Sequence, residues 1–176
     1  MKSKKIYIED LKDTDDYLRY RRIIKRLAEE TDLIKTAEEI GRLHSGRKSR
    51  SLFGSELSAD KIIEANLQDT SYRSRLVEIR IDLAKILSLA TTTLDTVKSK
   101  VYQTYTEDLK VFKTKGERMS YVESFLTLGT MFTKRVEDLS DQLDLVIKDI
   151  DQTSFTYKNA IQILEIIYSK NNDRKI

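Results

Sequence analysis

A chain of 176 residues that contains no proline is biased towards helix before any pattern in it is read. Proline breaks helix interiors and marks loops, and its usual ~5% share would put about eight or nine in a chain of this length. Their absence predicts few turns and long uninterrupted helices. The apolar share of 39% and the charged share of 35% fit charge-decorated helices that bury a core.

Apolar spacing supports the same reading. From Tyr72 the series Leu76, Ile79, Leu83, Ile86, Ala90, Leu94, Val97, Val101, Tyr105, Leu109, Phe112 advances by three or four residues, which predicts one long helix. "KTKGE" (113–117) sets a glycine among charges and predicts a helix stop with a tight reversal at Gly116. A second arm follows from Val122 to Tyr168 with a period close to seven per two turns, as in coiled coils. The fold class is therefore all-α, a long helical hairpin or coiled coil with an N-terminal helical region. Coiled-coil spacing assigns Leu143, Val146, Ile150, Tyr157, Ile161 and Leu164 to an oligomerisation seam and predicts a homo-oligomer. An arm of nearly fifty residues would reach roughly 70 Å at ~1.5 Å per residue, so it either projects into an oligomer or breaks. "DQTSFTY" (151–157), rich in cap-forming residues, is where a break would fall.

Upstream, the acidic run Asp13–Asp16 suits the positive end of a helix dipole, and the apolar spacing carries that helix to near Gly41. Ser58 is expected to cap a short helix, and Asp69 or Thr70 to cap the first long arm. "KIYI" (5–8) is the one strand candidate. Residues 1–57 thus form an N-terminal basic helix and glycine-rich basic loop, and 58–176 a helical hairpin whose C-terminal arm serves oligomerisation. Residues 1–50 carry 14 basic against 10 acidic side chains, 51–113 carry 9 against 9, and 114–176 carry 9 against 10, so the basic excess is N-terminal.

Much enzymatic chemistry lacks its residues here. With no cysteine and one histidine there is no Cys-His pair and no HExxH zinc motif, and neither GxxxxGK[ST] nor GxGxxG occurs. Glu137, Asp138, Asp141, Asp144, Asp149 and Asp151 are spread along the last arm and read as a solvated helix face. No catalytic residue, metal ligand or cofactor is expected. The basic start lacks a signal peptide's apolar core, and no stretch approaches the roughly 18 apolar residues of a membrane span. A soluble, cytoplasmic protein without membrane contact is expected.

The cations offer a binding chemistry instead. "RYRRIIKR" (19–26) puts Arg19, Arg22 and Arg26 on one helical stripe beside Arg21 and Lys25, a row able to track phosphates. "GRLHSGRKSRSLFG" (41–54) carries Arg42, Arg47, Lys48 and Arg50 without nearby acids, and Phe53 as a stacking platform. Backbone charge plus aromatic stacking is how single strands are held. The alternatives are a solvated helix face paired with Asp15, Asp16, Glu29 and Glu30, and a plain loop. Four neutralised phosphates give a salt slope of only about −2.8 on single strands, so one copy binds weakly and an oligomer multiplies the effect.

Two stretches resemble a known family. "LDLVIKDIDQTSFTYKNAIQILE" (143–165), with Phe155, Lys158, Asn159, Ala160 and Ile161, resembles the C-terminal helical signature of the UvsY-like phage recombination mediators. "LHSGR" (43–47) is similar to that family's aromatic-Ser-Gly-Arg turn. This chain departs from the pattern at Gln162 and Ile163, after the Ala-Ile pair, and at Glu38 and Glu39, before the turn. Those departures shift the expected DNA contacts to Arg42, Arg47, Lys48 and Arg50. The resemblance implies a non-enzymatic oligomer that binds single-stranded DNA and assists loading of a RecA-like recombinase where a single-strand-binding protein is already bound. A structural or scaffolding coiled-coil protein without nucleic-acid binding, such as a phage assembly or adaptor protein, is the alternative.

Overall fold

A computed structural model describes the main chain of residues 8–52 and 58–173, and the side chains of 10–49, 52 and 58–170. Among the described residues there is no strand. The helices are α1 (Ile8–Lys12), α2 (Asp15–Glu30), α3 (Leu33–Ser45), a 3-10 turn (Lys48–Leu52), α4 (Ala59–Thr104), α5 (Thr106–Leu109), α6 (Lys115–Phe125) and α7 (Thr127–Asp173). The expected all-α fold of long helices is present. Of the strand candidate, Lys5 to Tyr7 lie outside the described residues, and Ile8 opens α1.

Several local expectations change. The helix expected to run unbroken to Gly41 divides at Thr31, whose extended backbone caps α2, and α3 then continues through Gly41 to Ser45. Glu29 and Glu30 at the negative end of the α2 dipole, followed by β-branched Thr31, favour that stop. Ser58 does cap a helix, accepting the Lys61 N–H at 3.3 Å, but that helix is α4 itself. Asp69 caps nothing, because α4 runs straight through it. Gly116 begins a helix instead of ending one. Thr114 and Glu117 form a reciprocal capping box, each accepting the other's N–H at 3.1 Å, so Gly116 falls in the first turn of α6. No break occurs at 151–157, where Thr153 and Thr156 donate to the carbonyls of Asp149 and Gln152 one turn back and are absorbed into α7.

By its contacts the chain forms two compact units, one from the residues up to Leu33 with Leu83–Leu139, the other from Ile34–Asp82 with Ser140 onwards. In the first, Tyr20, Ile24, Leu94, Val97, Val122 and Leu126 are buried. Tyr20 donates its hydroxyl hydrogen to the Leu126 carbonyl at 2.9 Å and accepts the Gly129 N–H at 2.7 Å. One side chain thereby satisfies an orphan donor in the first turn of α7. Ion pairs Lys100–Asp16 (2.6 Å) and Lys98–Glu123 (2.9 Å) join α4 to α2 and to α6.

In the second unit, α4 packs on α7 through Ile62, Ala65 and Tyr157, with Leu52, Ala160, Ile161 and Leu164 against them. Leu76, Leu143 and Ile150 are fully enclosed. This corrects the seam assignment: Leu143, Ile150 and Tyr157 lie in the unit's own core, and Val146, Ile161 and Leu164 are half-buried along it. A heptad-like spacing specifies an apolar stripe, and here that stripe is covered by α4 of the same chain. Arg80 and Arg73 of α4 reach Asp144 and Asp151 of α7 at 2.7 and 2.6 Å, so the acids expected to be merely solvated help fix the register of the two helices.

Candidate functional site

The loop residue Arg47 and Asp69 of α4 form a deeply enclosed charged pair in the second unit. Helix α3 ends at Ser45, the Gly46 N–H closes its last turn on the Arg42 carbonyl at 2.9 Å, and the chain turns inward at Arg47. Its Nε and Nη2 donate to the two carboxylate oxygens of Asp69 at 3.1 and 2.9 Å, a bidentate pair with side-chain exposures of 2% and 0%. Nη1 donates to Asp149 of α7, which also meets His44 Nε2 at 3.2 Å. Burial works against the charge on Arg47, yet Asp69 and Asp149 outweigh it and raise its pKa. For Asp149, burial pushes the carboxyl up, while the hydrogen bonds of His44 and Arg47 pull it below the ordinary carboxylate value.

The predicted phosphate contacts are thereby separated. Arg47 has no surface to offer a phosphate, because two carboxylates and the core enclose it; this corrects its assignment. Lys48 pairs with Glu64 of α4, and its N–H donates to Gln68 Oε1 at 2.8 Å. The side chain of Arg50 lies outside the described residues, as does Phe53. Arg42 is exposed on the last turn of α3. In the first unit, Arg22 is exposed on α2, while Arg26 pairs with Glu30 at 2.7 Å. Among the described residues no carboxylate pairs with Arg19, Arg21 or Arg22, all exposed. Spacing along the sequence missed Asp69 and Asp149 because they lie 22 and 102 residues from Arg47.

Beside this ionic cluster lies a cavity of about 580 Å3. Leu52, Ile62, Val146 and Ala160 give it apolar walls, and His44, Ser49, Asp149 and Tyr157 add polar groups. The Tyr157 hydroxyl is buried without a hydrogen-bond partner among the described residues. Burial raises its pKa, and Ser49 opposes that rise without completing a hydrogen bond of good geometry.

A second feature is the outer surface of α7. At ~100° per residue, Phe155, Ile163, Ile166 and Ile167 fall within about 120° of one another, on a face centred roughly 135° round the helix from the stripe that packs on α4. Their exposures run from 49% to 66%. Ile63 and Leu67 of α4 are likewise apolar and exposed.

No protein-family model, curated protein or solved structure matches the chain. Among the described residues, no helix is long and apolar enough to cross a membrane, and no three His, Asp or Glu side chains are grouped to hold a metal ion.

Proposed function

We propose that the protein works by assembly rather than by covalent chemistry, as a homo-oligomeric helical scaffold whose subunits join through the outer face of α7. One observation carries this reading: the C-terminal part of α7 is apolar on two sides. Tyr157, Ala160, Ile161 and Leu164 supply the side that packs within the unit, while Phe155, Ile163, Ile166 and Ile167 supply one that remains in solvent. A helix at the surface of a single subunit needs one apolar face, and a second implies a second helix to cover it. Covering the roughly half of each large apolar side chain that remains in solvent is worth about 1 kcal/mol apiece, so the four together offset part of the cost of association. Light scattering across a concentration series tests the reading. An assembly with at least twice the 20.5 kDa chain mass is expected at micromolar concentration, and a constant 20.5 kDa is incompatible with it.

A second reading builds on the first. The exposed cations Arg19, Arg21 and Arg22 on α2, which lack carboxylate partners among the described residues, favour binding to a polyanion. In that reading the assembled protein is a recombination mediator that holds single-stranded DNA and assists a RecA-like recombinase against a single-strand-binding protein, with the contacts moved from the loop to α2 and Arg42. Affinity for a labelled oligonucleotide should fall steeply with salt, and reversal of Arg19 and Arg22 to Glu should weaken it far more than Lys48→Glu. Equal effects of the two changes exclude α2 as the contact.

A further inference from the structure

We propose that the cavity beside Arg47 is a binding site for a small, mainly apolar, uncharged molecule bearing one hydrogen-bond acceptor, which the Tyr157 hydroxyl holds. Its volume of about 580 Å3 lies within the span of small-molecule sites, which are apolar with a few fixed polar groups. Leu52, Ile62, Val146 and Ala160 supply the apolar surface. Tyr157 lines the cavity and is 7% exposed, and its hydroxyl has no hydrogen-bond partner among the described residues. Buried hydroxyls are nearly always paired, so an unpaired one at a cavity wall marks where an acceptor belongs.

Charge decides the remaining chemistry. Arg47 is committed to Asp69 and Asp149, and Asp149 also to His44. Arg47 and Asp149 spend their hydrogen bonds on each other, on Asp69 and on His44, so a charged head would leave water for an apolar cavity without a dedicated partner. A neutral carbonyl or ether oxygen on a hydrocarbon body matches what remains.

Four probes of one shape separate the possibilities: benzophenone, diphenylmethane, diphenylacetate and diphenylmethylamine, each titrated into the full chain by calorimetry. Saturable one-to-one binding of benzophenone is expected, about threefold to tenfold tighter than diphenylmethane, the range one neutral hydrogen bond supplies. The two charged probes should bind more weakly than benzophenone. Tyr157→Phe should abolish the preference for benzophenone over diphenylmethane without lowering the unfolding midpoint of the ligand-free protein, because it removes a hydroxyl that has no hydrogen-bond partner among the described residues. Ala160→Phe, which fills the cavity, should abolish binding of both. Absence of saturable binding, tighter binding of a charged probe, or a preference that survives in Tyr157→Phe overturns the proposal.

Discussion

A β-carbon on residue 129 would lie 2.6 Å from the Tyr20 hydroxyl oxygen, so Gly129 and Tyr20 fit together only because residue 129 has no side chain. The same hydroxyl accepts the Gly129 N–H and donates to the Leu126 carbonyl, which fastens α2 to the junction of α6 and α7. Tyr20 is rigidly enclosed and cannot yield to an added methyl. Gly129→Ala is expected to destabilise the protein by ~1–3 kcal/mol through overpacking. Tyr20→Phe should cost ~1–3 kcal/mol by stranding the Gly129 N–H, while the Leu126 carbonyl keeps the Thr130 N–H. The double variant should cost less than the sum, because the hydroxyl that clashes with the new methyl is already gone. Urea unfolding of the four proteins checks this, and strict additivity contradicts it.

Burial of Tyr20 pushes its hydroxyl pKa up to about 12, against the small opposing effect of the Gly129 N–H. The folded protein therefore resists ionisation that the unfolded chain undergoes near pH 10, and the stability held by the neutral phenol is lost as pH rises from ~10 to 12. Unfolding midpoints at pH 8 and pH 11 should differ by less in Tyr20→Phe than in the unmodified protein. An equal loss in both would place the alkaline sensitivity elsewhere.

Removing Arg47 strands the enclosed carboxylate of Asp69. Arg47→Ala is expected to cost ~3–5 kcal/mol, whereas replacing both partners by Arg47→Met and Asp69→Leu should restore most of it. Lys48→Ala, which breaks an exposed pair with Glu64, should cost ~0–1 kcal/mol. Asp149 gives the cluster a pH dependence. Its carboxyl is held below the unfolded value, so its contribution is present above pH ~4 and is lost as pH falls through the folded pKa. Asp149→Asn should show a shallower acid loss by calorimetry.

The helices were legible because their apolar residues recur every three or four positions, a local property. What that period cannot state is which chain supplies the covering surface. Leu143, Ile150 and Tyr157 have the spacing of an intersubunit seam and are covered by α4, while Phe155 and Ile166, on the opposite side of the helix, are left in solvent. The loop cations misled for a related reason. Arg47 has no acid nearby in sequence, but Asp69 and Asp149 reach it through the fold, and Lys48 meets Glu64 sixteen residues on. Capping was readable where its partners are local, as at Ser58. It misled at Gly116, where a glycine among charges sits in the first turn of a helix and resembles one that follows the last.

The central claim is that the exposed side of α7 joins subunits while the enclosed side builds each one. Sedimentation velocity on Ile163→Glu/Ile166→Glu, compared with the unmodified chain at equal concentration, tests it most directly. The account predicts an assembly for the unmodified chain and a 20.5 kDa species with undiminished helical circular dichroism for the variant. An unmodified chain that is itself monomeric, or a variant that keeps the full assembly mass, would contradict it.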